Sequence, residues 1–225
     1  MPVILNFTKE ETEELKKFWS SHETIAEKTR EGKPYLIGKS VYKIYNEDYE
    51  AENPICKSDL PLDSFLFPEE IYTYNNKVFA YKTPYIPNNQ FKIKRFRNWI
   101  IPDIRKIKKA LIPLVKDIYV LSKNNIRAIG LARRNTLFDG EKFYIVHTLD
   151  YQIVDDDPEE DNYKSLKTII TCLMLNVELA HDQFDIELSE EDLKEYKNLH
   201  LYIKEIYEKT KEEYKDKEIQ KIKRP

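Results

Sequence analysis

The stretch Tyr119–Tyr151, YVLSKNNIRAIGLARRNTLFDGEKFYIVHTLDY, decides how this chain is read. It opens on the end of an apolar helix, which stops near Ser122-Lys123-Asn124-Asn125. A loop follows from Ala128 to Asn135. Phe138-Asp139-Gly140-Glu141 has the composition of a tight turn, and Phe143-Tyr144-Ile145-Val146 that of a return strand. His147-Thr148-Leu149 comes directly after the strand. The order is therefore helix, loop, hairpin and short connection.

The bulk properties allow a domain of ordinary size around this stretch. The chain has 225 residues, 41% apolar and 34% charged, with sixteen tyrosines and ten phenylalanines. A single domain of this length buries roughly three quarters of its unfolded surface. The net charge of −3 gives no global pull toward nucleic acid or an anionic membrane. The four glycines, Gly32, Gly38, Gly130 and Gly140, are scattered. Phosphate-binding loops and the nucleophile elbow need clustered glycines, so that backbone can approach the ligand or turn sharply. Those classes are excluded. Cys56 and Cys172 form no paired motif, so neither a zinc knuckle nor a redox pair is supported. Two buried thiols in a reducing compartment are expected, with a disulfide as the alternative. His22, His181 and His200 show no ligand spacing.

Outward from the central stretch, Thr8 to Arg30 is expected to be an amphipathic helix. Thr8 and Glu11 form its capping box, Leu15, Phe18, Trp19, His22 and Ile25 its apolar face, and Gly32 its stop. Tyr35–Tyr45 is expected to be one strand. Only a short helix fits between Glu47 and Leu62, because Asn53-Pro54 and Leu60-Pro61 break the segment. Phe65–Pro68 opens a hairpin with strands Ile71–Tyr74 and Val78–Tyr81 and an Asn75-Asn76 turn. A helix begins near Ile100, with Pro102 in its first turn and a kink or boundary at Pro113. Asp155–Asp161 is an acidic loop. Tyr163–Ala180 is expected to be a buried helix. Ser189 and Asp192 cap a last long helix that frays by Lys215.

Taken together, these motifs resemble the bacterial and phage protein-kinase-like family. In kinases a helix leads into H-R-D-L-x-x-x-N, a hairpin and then D-F-G. Ala128-Ile129-Gly130-Leu131-Ala132-Arg133-Arg134-Asn135 falls on the first motif, and His147-Thr148-Leu149 falls on the second. The resemblance covers about Tyr35 to Ala180. It implies an α+β fold of reduced two-lobed kinase type. The pieces would be an N-terminal helix (1–34), a small β-rich lobe (35–87) and a helical lobe (88–225).

The resemblance also assigns roles. Lys43, in Val-Tyr-Lys-Ile-Tyr, matches the lysine that holds ATP phosphates, with Glu50 or Glu52 as its partner. Asn135 matches the magnesium-binding asparagine. Gly130 stands where the catalytic aspartate belongs, and glycine cannot accept a proton. His147 stands where the magnesium-binding aspartate belongs, and imidazole is a poor ligand for so hard a cation. Asp150 is a candidate second metal contact, and Asp139 a turn acid. Losing both carboxylates removes the proton acceptor and the metal anchor together.

The implied protein is a degraded kinase, or pseudokinase. It would be cytoplasmic and would act as a binding or regulatory module with a protein partner. No cofactor would be required, ATP with magnesium being the pair a remnant pocket would take. The alternative is an atypical phospho- or nucleotidyl-transferase using Lys43, Asn135 and Asp150. A third reading is nucleic-acid binding through Lys92, Lys94, Arg95, Arg97, Arg105 and Lys106, which surround Phe96 and Trp99. Arg133-Arg134 could also receive an anion. No apolar run approaches the roughly 20 residues of a membrane helix.

Overall fold

The computed structural model describes residues 2–25, 32–49, 60, 62–87, 101–131, 135–184 and 187–215. The fold is α+β and falls into two compact units. One comprises Met1–Asp59 and Leu66–Tyr85, and the other Leu60–Phe65 and Ile86–Pro225.

Among its described residues the first unit has a five-stranded mixed sheet and one helix. Its strands are β1 (Val3–Asn6), β2 (Gly32–Ile37), β3 (Ser40–Tyr49), β4 (Glu70–Tyr74) and β5 (Lys77–Pro84), in the order β1-β4-β5-β3-β2. Only β1 pairs in parallel, against β4. The expected hairpin is present as β4–β5. Asn75 and Asn76 hold its two-residue turn, both left-handed at φ 49 and 61.

Helix α1 (Lys9–Ser20) starts on the expected capping box, with Glu11 N–H donating to Thr8 Oγ1 and Thr8 N–H to the Glu11 carboxylate. It stops well short of Arg30. The Ser21 hydroxyl donates to the Phe18 carbonyl at 2.7 Å, and His22 Nδ1 lies 2.9 Å from the same oxygen. These local bonds compete with helix propagation, and by Thr24 the chain bridges Tyr35 in extended form. Trp19 then packs with Tyr35, Ile44, Tyr72, Phe79 and Ala80 as the core of this unit. Phe18, expected on the apolar face, is exposed.

Gly32 is a strand residue and not a helix stop. A Cβ there would meet the Ile44 carbonyl oxygen at 2.2 Å, so the close approach of β2 to β3 demands glycine. The single strand expected over Tyr35–Tyr45 is a hairpin, turning at Gly38-Lys39 with Ile37 opposite Ser40. β3 continues through Tyr49, which replaces the start of the helix expected from Glu47. Glu50, Glu52 and Cys56 lie outside the described residues. Phe65 does not open the hairpin; it bridges Ile145.

The second unit is built on α2 (Ile104–Lys123), α3 (Glu159–Phe184), α4 (Glu190–Lys197) and α5 (Leu199–Tyr214). α2 begins on Asp103, whose side chain accepts from Arg105 N, and runs through Pro113 without ending. Proline in a helix interior costs about 3 kcal/mol. Leu111, Leu114, Val115 and Ile118 are fully buried around it. At about 1.5–3 kcal/mol each, their burial outweighs that cost. The expected last helix is two, because Asn198 leaves helical geometry at φ −90, ψ 1 and separates α4 from α5. Four short strands complete the unit: β6 (Ile126–Arg127), β7 (Thr136–Phe138), β8 (Phe143–Ile145) and β9 (Gln152–Ile153). Among the described residues, no helix is long and apolar enough to cross a membrane.

Candidate functional site

The candidate site is the turn of chain between α2 and α3. α2 ends at Asn124, whose N–H donates back to Val120 and Leu121, and Asn125 turns the chain at φ 56. β6 follows and pairs antiparallel with β9, Ile126 opposite Ile153 and Arg127 opposite Gln152. Residues 128–151 are therefore an excursion that leaves and returns on adjacent strands. Inside it, β7 and β8 form the expected hairpin, Phe138 opposite Phe143. Their rings are buried with centroids 4.8 Å apart.

The hairpin turn depends on one carboxylate. Asp139 accepts from the N–H groups of Glu141 (2.9 Å) and Lys142 (2.8 Å) and from the Tyr144 hydroxyl (3.0 Å). Partial burial pushes its pKa up, but these donors outweigh that and hold it below the usual aspartate value. Asp139 is thus committed to the turn.

Asn135 is also committed. Its Nδ2 donates to the Gly130 carbonyl at 2.8 Å, and its own carbonyl accepts from Val146 N–H at 2.8 Å. Gly130 is left-handed, at φ 73. A Cβ there would meet Asn135 Nδ2 at 3.4 Å, ordinary contact, so backbone conformation rather than crowding favours glycine. The pair closes the loop by a side-chain-to-backbone bond across five residues. Residues 132–134, including Arg133 and Arg134, lie outside the described set.

His147 sits at the end of β8 in left-handed geometry, φ 69 and ψ 48. For a residue with a Cβ this costs about 1–2 kcal/mol and needs surrounding contacts to hold it. A 3-10 turn, Thr148–Asp150, follows, and His147 Nε2 lies 3.6 Å from Asp150 Oδ2. The structure therefore brings Gly130 to Asn135 and His147 to Asp150. Lys43 belongs to the other unit, on β3 opposite Pro34 and Tyr81, with its ammonium 5.3 Å from the Tyr45 ring centre and 5.9 Å from that of Tyr81. Among the described residues, no three His, Cys, Asp or Glu side chains are placed together to hold a metal.

A buried residue that the motif reading missed organises the loop. Asn162, in the first turn of α3, has no exposed surface. Its Oδ1 accepts from Ala128 N–H (2.8 Å), and its Nδ2 donates to the Ile126 carbonyl (2.8 Å) and the Ser122 hydroxyl (2.9 Å). One carboxamide thus ties the end of α2, β6 and the loop entry to α3. The signal was present: Asn162 is in helical phase with Leu166, Ile169 and Ile170, all buried. Arg127 adds an outer tie, to Asp156 at 2.7 Å and Asp161 at 3.2 Å. The acidic loop is thus partly neutralised. Glu159 accepts from Lys123 (2.7 Å) and Lys211 (2.5 Å). Burial pushes Glu159 up, but the two ammonium groups outweigh it and hold the carboxyl below its usual value.

Of the proposed basic contacts, Lys92, Lys94, Arg95 and Arg97 lie outside the described residues. Arg105 and Lys106 are exposed on the first turn of α2. The Arg105 guanidinium is paired with Asp103 at 3.0 Å, and Lys108 nearby is paired with Glu195 at 2.7 Å.

No protein-family model matches the chain, and no curated protein matches it at a significant level.

Proposed function

We propose that this chain is a kinase-like module that keeps the framework of a phosphotransfer loop without its acids and serves as a binding or regulatory protein. The observation that carries the reading is the excursion between β6 and β9. It contains the β7–β8 hairpin and the Asn135–Gly130 bond, and this helix–loop–hairpin order supports the reading. The polar ties in this region, Asn162, Asp139 and Arg127, are spent on holding the loop. Gly130 has no side chain to accept a proton, and His147 offers an imidazole in place of the carboxylate that a hard metal prefers. A framework is kept by packing, and packing does not require the missing acids.

The partner we favour is a protein. In the described part of the basic segment Arg105 and Lys108 already hold internal acids, which reduces the cation density a phosphate backbone would meet.

Thermal-shift titration with ATP and magnesium tests the reading. The expected result is an unchanged melting temperature at millimolar nucleotide and no transfer of labelled phosphate. Stabilisation that Lys43→Ala abolishes, together with phosphate transfer, would replace this reading with that of an atypical transferase.

A further inference from the structure

Asp117, midway along α2, is a buried carboxyl that the loop framework does not use, with 6% of its surface exposed. Its Oδ2 accepts from the backbone N–H of Ser64 at 2.6 Å. Ser64 lies in Leu60–Phe65, the short piece of chain that belongs to the helical unit although the residues on both sides of it belong to the sheet unit. The same piece reaches the candidate site. The Ser64 carbonyl accepts from Ile145 N–H at 2.6 Å, and Phe65 bridges Ile145 in parallel. The Phe65 ring meets Tyr151 edge-on at 5.9 Å. Ile145 ends β8, two residues before His147. Asp117 therefore fastens Ser64, which with Phe65 meets the strand leading into the candidate site.

We propose that Asp117 is a proton-linked latch: the neutral carboxyl holds Ser64 and Phe65 firmly against β8, and the ionised carboxylate loosens them.

The physical reason is the local balance around the group. A charge this deeply buried needs several donors, and the structure gives Asp117 one backbone N–H. Burial pushes its pKa up, from the ordinary aspartate value to about 6. The Ser64 N–H offsets part of that push. Two charged groups also bear on it, from the elements packed around it. Asp63, the residue before Ser64, opposes ionisation, and Lys142, on the β7–β8 turn, favours it. Either form of the carboxyl can accept from Ser64 N–H, so the bond survives protonation, while the desolvation cost appears only on ionisation. The latch does not depend on the kinase-like reading.

The test is amide hydrogen exchange of the whole chain at pH 5.0 and 7.5, corrected for the intrinsic pH dependence, with the Asp117 carboxyl titrated in parallel by carbon NMR. The two pKa values imply that opening at Ser64 and Ile145 increases about tenfold between these pH values. Asp117→Asn should abolish that change and keep exchange at the slow, low-pH level. The idea is overturned by a carboxyl titrating near 4, or by wild-type protection that is equal at both pH values. It is also overturned by an Asp117→Asn variant that keeps the wild-type pH response. If the variant does not fold, the wild-type titration and exchange data decide alone.

Discussion

The sheet unit and the helical unit bury different chemistry. The sheet unit closes around aromatic rings: Trp19 stacks on Tyr42 with centroids 5.1 Å apart and meets Tyr72 edge-on at 4.8 Å, and Phe7 meets Phe79 edge-on at 6.1 Å. Its charged network stays half-exposed, with Lys82 bonded to Glu70 at 2.6 Å and Tyr72 donating to the same carboxylate. The helical unit has an aliphatic centre, but it also buries the Asp117 carboxyl and the Asn162 carboxamide completely or nearly so. Both lie beside the β6–β9 excursion. A buried polar group adds little net stability when satisfied and costs much when its partners are left alone. The contrast separates a unit held by shape from one in which specific bonds fix a particular loop.

Variants can break or sharpen this contrast. The largest effect should come from Trp19→Ala, which empties the middle of the aromatic cluster and should cost about 3–5 kcal/mol. Denaturant unfolding followed by near-ultraviolet dichroism would measure it, and a loss below 1 kcal/mol would show that the rings are not the main support of the sheet. Next is Asn162→Ala. It strands Ala128 N–H and the Ile126 carbonyl in a buried site and should cost about 2–4 kcal/mol. Faster proteolysis between residues 128 and 135 would accompany the loss. Intact protection there would mean that packing alone holds the loop.

Asp117→Asn should act in the opposite direction. The folded-state pKa lies above the unfolded one, so the folded chain holds more protons between those two values. This group's contribution to stability is therefore fully present below about pH 4 and is lost as the pH rises to about 6. Removing the charge should stabilise the protein by about 1–3 kcal/mol at pH 7.5, with almost no gain at pH 4. Equal gains at both pH values would contradict the assignment. Asp139→Ala should cost about 1 kcal/mol or less, because its turn is half-exposed. Since its pKa is lowered, its contribution is present above about pH 4 and disappears as the pH falls below that value. The smallest effect belongs to Lys164→Ala. Its pair with Glu160 at 2.8 Å is a surface contact one helical turn apart. An unchanged melting temperature is expected, and a clear fall would mean that α3 is more marginal than its buried face suggests.

Much of the fold was legible because the signals are local. The Thr8–Glu11 capping box, the Asn75-Asn76 turn, the Phe138–Phe143 hairpin and the buried phase of α3 each depend on residues within a few positions of one another. The misreadings had equally physical causes. Helix α1 was read too long because Ser21 and His22, which end it, look compatible with a helix face. One strand was read where Gly38-Lys39 makes two, because a single glycine in an apolar run does not announce a reversal. The strand β1, four residues long, gave no periodicity from which to read it. In the candidate site the hairpin and the Gly130–Asn135 spacing were legible, whereas nothing local singles out Asn162 and Asp117, whose partners are remote backbone groups.

The amino-acid order alone settled the α+β class, the hairpins at Asn75-Asn76 and Asp139-Gly140, and the absence of carboxylates at positions 130 and 147. These follow from backbone preference and side-chain identity, which need no distant neighbour. Only the tertiary structure decided that β1 runs parallel to β4, that residues 60–65 join the helical unit, and that Asn162 and Asp117 are buried against remote backbone groups. The worth of a polar side chain depends on whether water or a remote backbone group is its partner, and that partner is chosen only when the chain folds.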